Sequence, residues 1–244
     1  MINEKTVSDA IEYRRSVRVF SDQDLDSEIV KKCLHNASLA PNSSNLQLWE
    51  FVHVNDDKIL KKLSKACFNQ NAAKTAKQLV VIVVRKDLWK KRANWNIEVI
   101  SNQSKNNQIS DKRLKQAKAY YKKVIPTLYT DFFGILGMLK SLIFQTIGLF
   151  RPTMRQVKSS DLRVVAHKSA GLAAQNFMIS MAAIGYDTCP MEGSDTLKVK
   201  NILNLPSGSE INMVIVCGIR TNEGIYGDKL RAVSYTHLTL PTKA

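Results

Sequence analysis

Glycine-rich phosphate loops are missing from this chain. Its ten glycines fall in neither the G-x-G-x-x-G nor the G-x-x-x-x-G-K-[ST] spacing, so neither a dedicated dinucleotide domain nor a P-loop is expected. Cysteine is scarce and scattered: Cys33, Cys67, Cys189 and Cys217 form no CxxC pair, which argues against a disulfide framework and fits reduced thiols in a cytoplasmic protein. Cys189 could serve redox chemistry, but a small buried side chain is its simpler role. His35, His53, His167 and His237 show no ligand spacing, so no metal site is expected. No Ser/His/Asp arrangement is evident. Nor is there a Gly/Ser- or Pro-rich linker or an internal repeat, and 244 residues suit one domain. The first residues, Met1 to Lys5, are polar and do not read as a signal peptide.

Acidic residues are few against the basic ones, 21 to 36, for a formal charge of +15. Such an excess favours anionic partners and steers anionic cofactors. Much of it falls in Lys58 to Lys65, Lys86 to Arg92 and Lys112 to Lys123. Leu60 and Leu63, or Leu114 and Tyr121, interrupt those runs, as in helices with one solvated face. Basic and aromatic residues do not interleave as they do in single-strand binders, so no nucleic-acid partner is expected.

Three polar clusters remain. Arg14-Arg15-Ser16-Val17-Arg18 puts three guanidinium groups within five residues. Guanidinium forks suit phosphate. In an extended segment Arg14, Ser16 and Arg18 would share one face. A basic helix C-terminus is the plainer alternative. Pro41-Asn42-Ser43-Ser44-Asn45-Leu46-Gln47 has loop composition and many neutral donors and acceptors, suited to a polyol, a phosphate ester or ordinary capping. Pro190-Met191-Glu192-Gly193 reads as a turn whose glycine allows close approach to a ring.

Periodicity predicts helices over Val7 to Tyr13, Leu25 to Leu39, Asp57 to Cys67 and Leu162 to Ile184. It predicts strands over Trp49 to Val54, Leu79 to Val84 and Ile211 to Ile219. Ala166, Ala170, Gly171, Ala173 and Ala174 would let a neighbouring helix approach the longest helix closely.

In order and content these pieces resemble the FMN-dependent nitroreductase family. The resemblance runs from about Thr6 to Arg231 and rests on Arg14 to Arg18, Asn42 to Phe51, Cys189 to Gly193, Ala173-Ala174-Gln175-Asn176, Leu205-Pro206 and Gly224-Ile225-Tyr226-Gly227. It implies an α+β fold: a three-layer α/β/α sandwich with a mixed, mainly antiparallel sheet, a single FMN-binding domain over residues 1–232, and a homodimer. It implies FMN held by Arg14, Arg15 and Ser16 at the phosphate and ribityl end, with Arg18 beside the pyrimidine edge. Asn69, with Asn71 as competitor, would pair with the pyrimidine. Pro190, Glu192 and Gly193 would face the ring, and Lys229 and Arg231 would return to the phosphate. Asn42, Ser43, Asn45 and Gln47 would come from the other subunit. The chain departs from the family pattern at Leu48, Asn42 and Ala72.

The implied activity is ping-pong, two-electron reduction of a nitroaromatic or quinone-like small molecule, with NADH or NADPH as donor. Dehalogenation, azoline oxidation and enone reduction are alternatives on the same fold. A basic, membrane-associated binding protein without catalytic flavin is the alternative outside it. Residues of about 87–155 would be a variable lid or insertion. Within them, Phe132 to Phe150 is apolar with Lys140 as its only charge. Its glycines suggest interruption, and it is expected to be a lid, with peripheral membrane contact as the rival reading. Residues 233–244 look like a non-native, adapter-derived tail, with the match in Val233 to Lys243; the authentic C-terminus would then be absent, and His237 carries no function.

Overall fold

The computed structural model describes residues 4–132 and 134–231, so the adapter-like tail lies outside the described residues. Hydrophobic periodicity and capping explain most of the elements. Helix α1 (Val7–Tyr13) is capped by Thr6, whose hydroxyl accepts from the Asp9 amide, and α2 (Ser27–Ser38) by Asp26. Strand β1 (Trp49–Val54) leads to α3 (Asp57–Ala66), α4 (Asn71–Thr75) and β2 (Gln78–Val84). Then come α5 (Trp89–Lys105), α6 (Asp111–Ala119), α7 (Ile125–Tyr129) and α8 (Ile135–Ile147). The 25-residue α9 (Ser159–Ala183), β3 (Asp187–Met191), α10 (Thr196–Ile202) and β4 (Glu210–Gly218) complete the fold.

The four strands are ordered β1-β2-β4-β3, and every pairing among them is antiparallel. The expected parallel component of the sheet is reduced to a single bridge between Ser16 and Thr188. Strand β2 is buried along its whole length, and its two-residue period divides the core. Val80, Ile82 and Val84 pack with Phe177 and Met181 of α9 and Val30 of α2, whereas Leu79, Val81 and Val83 pack with Leu60 and Leu63 of α3 and Val199 of α10. Helices thus cover both faces, giving the three layers. The lysines of α3 at 58, 61, 62 and 65 are exposed, while Leu60 and Leu63 are buried.

Some expectations change. Pro190 lies within β3, paired with Ile215, and not in a turn. It is tolerated because β3 is an edge strand, where an absent N–H is harmless. Of the small residues of α9, Gly171 is part-exposed with no atom within 4 Å of where a Cβ would lie, whereas the four alanines are used internally. Ala166, Ala170, Ala173 and Ala174 are buried in the chain's own core; only the opposite face, with Val164 and Leu172, is exposed. Within the apolar segment from 132 to 150, residues 135–147 form one uninterrupted helix. Gly134 precedes it with φ +83, Gly148 caps it, and only Gly137 sits inside. Among the described residues no helix is long and apolar enough to cross a membrane.

Candidate functional site

Helix α1 ends at Tyr13, and the chain turns at Arg14 into an extended segment. Two buried side chains, Val17 and Phe20, anchor it. The Val17 amide donates to the Thr188 carbonyl (3.2 Å) and the Arg18 amide to the Gly224 carbonyl (2.7 Å). Gly224 has no room for a side chain, since a Cβ there would lie 2.5 Å from the Val19 carbonyl oxygen. The arginine cluster therefore lies beyond the helix, laid along the start of β3 and the segment after β4.

An ion pair fixes that arrangement. Asp187, buried at the start of β3, accepts from the Arg220 amide (2.8 Å) and from Arg220 Nε (2.9 Å), with a further contact from Nη2. Arg220 also donates to the Tyr13 carbonyl (3.1 Å) and stacks 4.0 Å above the Tyr13 ring. Burial, and then the Asp187 charge, push the Tyr13 hydroxyl above its ordinary pKa. This knot ties the end of α1 to β3 and to the end of β4.

Beside it, Arg14, Arg15, Ser16, Arg18, Lys229 and Arg231 line a cleft of about 400 Å³, closed by the returning backbone from Ile225. Not every cation there is free. Arg15 donates to the Gly227 carbonyl, and the Lys229 ammonium donates to the carbonyls of Ile11 (2.9 Å) and Glu12 (3.2 Å) at the end of α1. Among the described residues, Arg14 has no carboxylate against it. Burial lowers its pKa, and repulsion from Arg231 and Arg15 lowers it further. Cations pressed together in this way favour a bound anion.

Arg18 and Tyr226 also line an adjoining pocket of about 260 Å³ with Asn69, Gln70, Asn71, Ala72 and Cys189. The Arg18 guanidinium lies 5.6 Å from the Tyr226 ring centre, and Asn71 donates to the Tyr226 hydroxyl (3.4 Å). Gln70 donates to the Gly193 carbonyl (3.0 Å), joining the loop before α4 to the Glu192-Gly193 segment. Asn69 adopts a left-handed backbone, φ +52, which asparagine tolerates better than most residues. Burial raises the Cys189 thiol pKa, and Arg18 and Arg14 only partly offset that. Both asparagines considered for the pyrimidine thus reach the same pocket. The chemistry it offers is amide hydrogen bonding, an aromatic wall and one guanidinium.

The loop carrying Asn42, Ser43, Asn45 and Gln47 is elsewhere in the chain. The Ser43 amide donates to Ser169 of α9 (3.4 Å), Asn45 donates to Asn96 of α5 (3.0 Å), and Gln47 Nε2 donates to Asn45 (3.3 Å). Asp187, Arg220, Tyr13 and Gln70 escape sequence reading. Asp187 and Arg220 are 33 positions apart and share no pattern, so only the β3–β4 pairing brings them together. Tyr226 lies in a stretch that carries the family resemblance, but nothing local marks its ring as a wall.

Fold and cleft together define an α+β protein with a basic cradle adjoining an aromatic and amide-lined pocket. Residues 11–219 match the nitroreductase family pattern, and the chain belongs to that family. It is 28% identical to Protein DrgA of Synechocystis over 217 residues, 88% of this chain and 84% of the relative. The fold matches a nitroreductase-like protein of Streptococcus mutans at a TM-score of 0.69, with 21% identity and coverage of 95% of this chain and 97% of the other. The NADPH:FMN oxidoreductase of Vibrio harveyi, solved with NAD+, matches at a TM-score of 0.60, with 16% identity and coverage of 98% and 79%.

Proposed function

We propose that this protein is an FMN-dependent oxidoreductase that uses NADH or NADPH to reduce a nitroaromatic or quinone-like acceptor. The carrying observation is the pair of adjoining pockets: a cation cradle around Arg14, Arg15 and Arg231, sharing Arg18 and Tyr226 with a pocket that Asn69 and Asn71 also line. The donor set fits FMN, which has a phosphate at one end and an amide-edged ring at the other. Bound FMN would supply the two-electron chemistry, accepting hydride from the nicotinamide and passing electrons to the acceptor. The chain's residues bind and tune. Arg14, Arg15, Ser16 and Arg231 would hold the phosphate and ribityl chain. Asn69 and Asn71 would pair with the pyrimidine edge, and Arg18 would stabilise negative charge developing there. The segment Pro190 to Gly193 would bring backbone groups to the ring. Asn42, Ser43, Asn45 and Gln47, which bond away from the cleft of their own chain, would complete the partner's site in a homodimer. Helices α5 to α7, within residues 87–155, would vary the cover of the site and so the acceptor.

Visible absorption of the purified protein tests this reading, with NADH and then NADPH added anaerobically. Flavin bands that bleach with either donor are the expected result. In Arg18→Ala the bound flavin should show a lower reduction potential or be retained more weakly. A colourless protein that also binds no added FMN would overturn the proposal, and an unchanged potential and affinity in Arg18→Ala would remove that residue from the mechanism.

A further inference from the structure

Helix α8 shows its apolar side to solvent. At 3.6 residues per turn, Ile135, Leu136, Met138, Leu139, Leu142 and Ile143 fall within one arc of roughly 160°. All six are exposed, Met138 and Leu142 at 70% and 68%. Thr146 is the one polar residue on that arc. The helix is held from its other side. Gly137 is its one buried residue, facing the backbone of Lys158 and Ser159 at the start of α9, and its amide donates to Asp131 (3.0 Å). Leu149 and Phe150 extend the patch past the helix end, exposed at 76% and 86%.

The charges near this helix are arranged around the arc and not on it. Lys140, the only charged residue within α8, turns its ammonium back to the carbonyls of Leu128 (3.2 Å) and Thr130. Arg155 caps the helix end, donating to the Gly148 carbonyl (2.6 Å) and the Gln145 side chain (2.6 Å). Arg151, directly after Phe150, is exposed with no side-chain partner among the described residues. Thirteen residues make a helix of about 20 Å, too short for a hydrocarbon core of about 30 Å but suited to lying in an interface. An apolar arc rimmed by cations, on a chain of charge +15, complements an anionic bilayer surface. A second copy placed with α8 against α8 would bring the same cations to the same rim and gain nothing from charge.

We propose that α8, with Leu149, Phe150 and Arg151, docks this protein peripherally on anionic lipid bilayers. This does not rest on the flavin reading, since the arc and its rim lie outside the cleft.

Vesicle flotation of the purified protein tests it, using phosphatidylcholine vesicles with and without phosphatidylglycerol. Flavin absorbance of the same sample and its oligomeric state by light scattering are recorded alongside. Binding to the anionic vesicles that weakens with added salt is the expected result. Leu142→Ser with Ile143→Ser, both on the exposed arc, should weaken that binding at least about tenfold and leave flavin content and oligomeric state unchanged. Arg151→Gln should weaken it about fivefold on anionic vesicles only. Absence of flotation with the anionic vesicles would overturn the proposal. So would binding that persists in the double variant, which would mean adsorption by charge alone. Dissociation of a dimer by the double variant would also overturn it, because a second copy would then cover the arc.

Discussion

Arg14→Ala is expected to weaken FMN binding roughly 10–100-fold, the range set by losing a hydrogen-bonded charge contact of about 1.5–3 kcal/mol. The apoprotein should not melt lower. Arg14 is held below its ordinary pKa by burial and then by Arg231 and Arg15, so without an anion its charge opposes folding; removing it relieves that repulsion. The two signs together separate a ligand-holding arginine from a structural one. Riboflavin, which has the same ring but no phosphate, provides the control: its affinity should hardly change. Fluorescence titrations of FMN and riboflavin against wild type and Arg14→Ala decide the matter. Equal losses for both flavins would mean that Arg14 shapes the cleft and does not hold the phosphate.

Asp187→Ala should have the largest effect on stability, about 3–5 kcal/mol, the usual cost of stripping one partner from a buried pair. Three donated bonds from Arg220 converge on this carboxylate. Its removal leaves a guanidinium over the Tyr13 ring with, among the described residues, only the Tyr13 carbonyl to accept from it. Urea unfolding measures the loss. Asp187→Ala combined with Arg220→Leu should recover much of it, because replacing both charges by apolar groups removes the unpaired one. FMN affinity should fall in the single variant as well, since the knot positions the segment from Arg14 to Arg18. A loss below about 1 kcal/mol in Asp187→Ala would show that Val17 and Phe20 alone hold that segment.

The fold is largely legible in the chain because its periodicities are strong. Trp49 to Val54 alternates and becomes β1 at the expected ends, and the β-branched run Leu79 to Val84 becomes the buried centre of the sheet. Helix α9 begins three residues before the expected Leu162, because Asp161 accepts from the Lys158 amide and starts the helix early. The turn expected at Pro190 gives way to a strand for a reason that no window of sequence contains: proline excludes a central strand but not an edge, and only the strand order makes β3 an edge. The alanines of α9 suit close packing anywhere, so their composition does not say whether the neighbour is their own sheet or another chain.

The candidate site divides in the same way. Composition alone marked the guanidinium groups at 14, 15 and 18 as candidates for anionic company, because their forks suit phosphate. It also determined that no glycine loop would hold a dinucleotide. The family match covers residues 11–219. Tertiary structure decided which cations are free. Lys229 looks equivalent to Arg14 in sequence, yet its ammonium caps α1, while Arg14 is left facing Arg231. It also decided that α8 turns its apolar arc outward, which hydropathy alone left open between a lid and a membrane contact. Types of side chain are local facts, but partners and exposure depend on distances between segments remote in sequence, and only the folded chain sets those distances.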